Sequence, residues 1–78
     1  MFYVYVLRNQ RGNTYIGSCA DTDIRLKKHN QNSVRSTKHK GPWHLVYQEE
    51  FATKTEALKR ENQLKSYKGN RIFAGLLK

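Results

Sequence analysis

Three sets of side chains in this sequence are of types, and at spacings, that bear on phosphate, protons or a hard cation. The first is Tyr5 and Tyr15, two phenols on either side of a short polar turn. A tight turn centred near Gln10 would set them directly opposite one another on one face of a hairpin, with Cβ atoms about 4.5–5.5 Å apart. A phenol ionises near 10 in water and is a poor base at neutrality, so it needs adjacent positive charge to act. On the residues alone, ordinary cross-strand aromatic packing accounts for the pair better than chemistry does. The second set is Arg25 and His29, which at i,i+4 share one face of a helix, with Lys28 and Asn32 nearby. The arginine fork donates two parallel hydrogen bonds to a phosphate, and a histidine moves a proton near neutral pH. A solvated basic helix face is the alternative account. The third is Glu61, which falls on the apolar stripe of a second helix with Ala57, Leu58 and Leu64. A carboxylate there needs a partner. Arg25 is one candidate. The other is a hard divalent ion, which takes one or two carboxylates beside water and phosphate oxygens.

The elements that must position these groups follow from pattern. Phe2 to Leu7 is apolar on both alternating faces, the mark of a strand covered on both sides. Arg8 to Asn13, with Gly12-Asn13, is a turn, and Thr14 to Gly17 is the returning strand. Asp21-Thr22-Asp23 supplies a cap and first-turn acid for a short helix over Ile24 to Asn32. Asn32 to Gly41 is a polar, basic loop, and Trp43 to Glu50 is a third strand after Pro42. Thr53 and Glu56 form a capping box ahead of a helix to about Tyr67, which Gly69-Asn70 stops. Ile72 to Leu77 is apolar enough to pack back as a last helical turn or two. The expected class is α/β, a three-stranded antiparallel sheet flanked by helices in the order β-β-α-β-α-α.

Seventy-eight residues make one domain, spanning 1–78, with no room for a second core. Hydrophobic residues at 37%, with 12% aromatic, are too many for a disordered tail. Fifteen Lys and Arg against six Asp and Glu give a formal charge of +9, spread from Arg8 to Lys78. A folded domain so basic favours a polyanionic partner, because each phosphate contact releases counterions. An anionic membrane and a merely solubilising surface are the rivals. The one cysteine, Cys19, excludes an internal disulfide. The N-terminal apolar run is too short for a signal core or a membrane span, so the expectation is a cytoplasmic protein without membrane insertion. Cys19, His39 and His44 do not make a zinc site, having no four-ligand spacing. Trp43 and Tyr67 could stack on bases, although Trp43, opening a strand, fits a core better.

Taken in order, these pieces resemble the GIY-YIG nuclease family. Tyr3-Val4-Tyr5 and, after nine intervening residues, Tyr15-Ile16-Gly17 resemble its paired signature; the second half matches letter for letter, and the first carries Tyr3 for Gly and Val4 for Ile. Arg25 follows Tyr15 by ten residues, as the family arginine does. Arg25-Leu26-Lys27-Lys28-His29-Asn30 is similar to an RL..HN run, Trp43 to Tyr47 to a W.LVY strand, and Ala57 to Glu61 to an AL.RE helix. Together they cover nearly the whole chain, in the manner of a small stand-alone UPF0213-like member or of the N-terminal domain of excision-repair incision nucleases.

The resemblance implies a divalent-metal-dependent endonuclease hydrolysing DNA with low sequence specificity, in repair or recombination. Tyr5 and Tyr15 would position or deprotonate water, Arg25 would steady the phosphate, His29 would assist proton transfer, and Glu61 would hold one Mg²⁺ or Mn²⁺ ion. Gly17 and Asn70 are supporting candidates, Asn70 standing where many members carry an asparagine. Lys27, Lys28, Arg35, Lys38, Lys40, Lys59, Lys65, Lys68 and Arg71 could track a phosphate backbone. The DNA could be single-stranded, duplex or branched, RNA is the other polymer to consider, and a protein partner could supply specificity. The alternative functions are a non-catalytic nucleic-acid-binding module and a basic ribonucleoprotein component.

Overall fold

Hydrophobic alternation builds the sheet. The computed structural model of the protein describes residues 1–31, 39–67 and 75. Strand β1 (Phe2–Asn9) is followed by β2 (Thr14–Cys19), helix α1 (Thr22–Asn30), β3 (Trp43–Phe51) and helix α2 (Lys54–Tyr67). The antiparallel sheet has the order β2-β1-β3, so β1 is central. That position explains its composition: Val4, Tyr5, Val6 and Leu7 are all buried. Val4 and Val6 join Ile16, Ala57 and Leu64 in one core beneath α2. Tyr5 and Leu7 join Trp43 in a second core, flanked by Tyr15, Cys19 and Leu26. The two faces of one strand thus feed two separate clusters.

The helices start as their sequences dictate. The Asp21 carboxylate accepts hydrogen bonds from the Asp23 and Ile24 amides at the head of α1. The helix ends at Asn30, two residues before the expected Asn32, with Gln31 as its C-cap. At α2, the Glu56 amide donates to the Thr53 hydroxyl, which in turn donates to the Glu56 carboxylate. Leu64 and Ala57 are the buried residues of α2, whereas Leu58, expected on the same stripe, is 42% exposed. Full burial of a leucine such as Leu64 contributes roughly 1.5–3 kcal/mol. Arg60 ties the helix to the sheet through Glu49 on β3, at 2.7 Å. The Tyr47 hydroxyl donates to the same carboxylate.

The hairpin register differs from expectation. Tyr5 pairs with Gly17, and Tyr15 pairs with Leu7. The turn is longer than a tight one and centres on Arg11. Its closing bonds run from the Asn9 amide to the Asn13 carbonyl and from the Gly12 amide to the Asn9 carbonyl. The Asn9 side chain accepts from the Arg11 and Asn13 amides and donates to the Lys40 carbonyl. Gly12, at φ 84°, supplies the left-handed residue this geometry requires. The tyrosines therefore share a face but are diagonal rather than directly opposed. The expected terminal helix over Ile72–Leu77 lies outside the described residues, apart from Gly75.

Candidate active site

Tyr5 is the hub of a polar cluster on the α1 face of the sheet. Its hydroxyl lies 2.9 Å from His29 Nε2, a contact buried between β1 and α1. Arg25 Nε donates to the same oxygen at 3.4 Å. Because Arg25 only donates, a phenol proton directed to His29 Nε2 gives each of the three groups a partner when the ring carries its own proton on Nδ1. Burial pushes the Tyr5 phenol up to about 12, against the pull of the Arg25 hydrogen bond and charge. Burial, and secondarily the Arg25 charge, hold His29 below its ordinary value. Both shifts favour a neutral phenol donating to a neutral imidazole, with the ring proton on Nδ1.

Tyr15 completes the group from β2. Its ring centroid is 4.8 Å from that of His29 and 6.3 Å from that of Tyr5. Tyr5 is 2% exposed, whereas Tyr15 is half-buried. The Tyr5 hydrogen bond, working against burial, raises Arg25 above its ordinary value. The guanidinium is thus anchored by Tyr5 while remaining half-buried at the edge of the cluster. Among the described residues, no buried side-chain nitrogen or oxygen lacks a hydrogen-bond partner.

Gly17 owes its place to the cluster. A Cβ built there would fall 2.5 Å from the Tyr5 hydroxyl oxygen, 2.7 Å from its Cζ and 3.1 Å from Tyr15. The Tyr5 ring lies across the glycine, so no larger residue fits beneath it. Asn30 plays a positioning part that spacing alone does not reveal. Its Oδ1 accepts from the Trp43 amide at 2.6 Å, and its Nδ2 donates to the Trp43 carbonyl at 3.2 Å. This two-bond clamp fixes the last turn of α1, and His29 with it, to the head of β3.

Glu61 arrives differently. It stands on α2, whose buried residues pack on the Val4–Val6 face, opposite the tyrosines. Its carboxylate pairs with Lys65 one turn on, at 2.8 Å, and not with Arg25. Its side chain is 15% exposed and that of Lys65 50% exposed. A hydrated hard ion, which takes one or two carboxylates beside its own water, would have to displace Lys65 to be held here. Among the described residues no group of three or more His, Cys, Asp or Glu side chains gathers in one place.

Of the basic residues expected to track phosphate, Lys27, Lys28, Lys40 and Lys59 are exposed. Lys27 and Lys28 end α1, next to His29. Lys65 is engaged with Glu61. Arg35, Lys38, Lys68, Arg71 and Asn70 lie outside the described residues.

Residues 1–72 match the model of the GIY-YIG catalytic domain. The chain belongs to the GIY-YIG family. GIY-YIG domains are in general endonucleases that act on DNA and use a divalent metal. UPF0213 proteins of Staphylococcus aureus strains Mu3, N315 and MW2 are each 44% identical to this GIY-YIG chain over 66 residues, covering 83% of it and 80% of the relative. The solution NMR structure of a UPF0213 protein from Bacillus halodurans is 34% identical, with a TM-score of 0.46, covering 94% of this chain and 92% of that one. No helix among the described residues of the GIY-YIG domain is long and apolar enough to cross a membrane.

Proposed function

We propose that this chain is a divalent-metal-dependent endonuclease that hydrolyses phosphodiester bonds in DNA with little sequence specificity. The observation that carries the proposal is the buried Tyr5–His29 hydrogen bond with Arg25 and Tyr15 at its rim. Four side chains from two strands and a helix converge there, and their order of burial separates their tasks.

Tyr5 and His29 are sealed inside and form the support. Their hydrogen bond holds the imidazole, and Tyr5 also steers the Arg25 guanidinium. Arg25 remains able to donate from its outer nitrogens to a phosphate as charge develops on it. Tyr15, the more open phenol, would orient the attacking water and, in its phenolate form, receive its proton beside the Arg25 charge. His29 accepts from Tyr5 and touches the Tyr15 ring, which suits it to hold the phenols in place. Glu61 would hold a hydrated Mg²⁺ or Mn²⁺ ion. Such an ion would supply positive charge to phosphate oxygens of the bound strand. Exposed Lys27 and Lys28 extend the cationic surface away from Arg25, in keeping with a partner read through its phosphates rather than its bases. Low specificity, a place in repair or recombination, and any protein partner belong to this same proposal.

The test is cleavage of end-labelled single-stranded, duplex and branched DNA, with RNA alongside, in Mg²⁺, Mn²⁺ or EDTA. Tyr15→Phe and Glu61→Ala are run beside the wild type. Metal-dependent cutting that falls by about 10²-fold or more in both variants is the expected result. One observation favours a second function, that of a nucleic-acid-binding module: Glu61 is ion-paired and sits on the helix covering the other face. Tight binding without cutting under any metal, unchanged by Glu61→Ala, would replace the nuclease proposal with that one.

A further inference from the structure

A cavity of about 270 Å³ opens beside the tyrosine cluster, walled by Cys19, Ala20, Asp21, Ile24, Arg25 and Lys28. It adjoins the candidate active site through Arg25, which donates to the Tyr5 hydroxyl, and Cys19 borders the core in which Tyr5 sits. Its lining includes the apolar Cys19, Ala20 and Ile24, of which Ile24 is 55% exposed, and two cations, Arg25 and Lys28. Asp21 is the lone acid, and its Oδ1 is engaged by the Asp23 and Ile24 amides.

We infer that this cavity takes one unstacked nucleobase, that of a nucleotide flanking the phosphate held by Arg25. The inference rests on the nuclease proposal and names the form of its substrate. Apolar side chains beside two cations complement a planar base carried on an anionic backbone. The size suits a single base, being just below the roughly 300–1,000 Å³ of sites for drug-sized ligands. A base paired in a duplex cannot enter a concave site of this kind without leaving the stack. The preferred substrate therefore has an unpaired or easily unpaired nucleotide beside the cut, as at a mismatch, a flap or a single strand.

The experiment uses 2-aminopurine, whose fluorescence rises when it unstacks. The probe is placed in turn at each position of a duplex oligonucleotide and binding is measured in EDTA, with an end-label anisotropy titration in parallel. The cut position is mapped separately with Mn²⁺. A rise at one position flanking the cut, and at no other, is expected in the wild type. Ile24→Ser should lose at least half of that rise while its anisotropy midpoint moves by less than about twofold, because both cations are retained. Ile24→Val, which keeps an apolar side chain, should preserve the rise. Ile24 is exposed, so neither variant threatens the fold. Binding with no rise at any position, or a rise that Ile24→Ser leaves intact, overturns the inference. A rise abolished by Ile24→Ser in a protein that cuts nothing upholds the base site and removes the nuclease proposal instead.

Discussion

Replacing Gly17 by alanine tests the core of the site through one methyl group. Gly17 does not have a positive φ, so alanine meets no backbone obstacle there. At an unobstructed position the change would stabilise by about 0.4–1 kcal/mol through the unfolded chain. Here the new Cβ would sit 2.5 Å from the Tyr5 oxygen and 2.7 Å from its Cζ. The Tyr5 ring is 2% exposed and held at 2.9 Å by His29, so it can move only by breaking that bond. Overpacking costs roughly 1–3 kcal/mol. Loss of the buried hydrogen bond adds about 1 kcal/mol. The expected loss is therefore on the order of 2–3 kcal/mol, opposite in sign to the open-space case. Urea unfolding of Gly17→Ala, Tyr5→Leu and the double variant measures it. Leucine removes both offending atoms, so the double variant should be less destabilised than the sum of the singles by about 1 kcal/mol or more. Additive effects, or a stabilising Gly17→Ala, would show that the phenol does not lie over this glycine in solution.

Four further outcomes are expected. Tyr5→Phe leaves the His29 and Arg25 nitrogens facing a missing oxygen, which should cost about 2 kcal/mol. A thermal melt should then fall by on the order of 10 °C for a domain of this size. Asn30→Ala removes both bonds to the Trp43 backbone and should cost about 1–2 kcal/mol by urea titration, and Asn30→Asp, which turns a carboxylate oxygen toward the Trp43 carbonyl, should not recover that loss. His29 is held below its ordinary value, so the unfolded chain binds its proton first. Stability measured against pH should fall as pH drops below about 6.5, and His29→Gln should flatten that slope. Phenolate absorbance should show one tyrosine ionising only near about 12, absent in Tyr5→Phe; since the unfolded phenol ionises earlier, stability should also decline as pH rises above about 10.

Alternation and capping carried most of the fold in legible form. The continuous apolar run of β1 announced burial on both faces, and Thr53 with Glu56 marked the start of α2. The hairpin register was not legible, because it depends on the Asn9 side chain closing a longer turn. Asn9 is a polar residue at a strand end with no local pattern to announce that task. Tyr5, Tyr15, Arg25 and His29 come together because the pairing differs from expectation by two residues, which keeps strand parity, and because i,i+4 spacing does not depend on it. Glu61 shows the limit of helical periodicity. The stripe correctly placed Ala57 and Leu64 inward, yet the carboxylate found its ion pair one turn along its own helix rather than across the sheet. Arg60, next to it, serves Glu49 and hence packing. The Asn30 clamp on Trp43 joins residues thirteen apart across a loop, a relation no short window contains.

The central strand also governs how this domain can vary. Because its even-numbered residues line one cluster and its odd-numbered residues the other, β1 is a partition with unlike tenants on its two sides. Substitutions at Val4 or Val6 perturb the floor beneath α2 and leave the phenol side alone. A single inserted residue ahead of Tyr5 would turn the partition over, driving a phenol into the aliphatic side and a valine toward His29. Length inside β1 is therefore frozen, whereas the exposed Gln10, Arg11 and Gly12 form a joint where residues can be gained or lost with far less consequence.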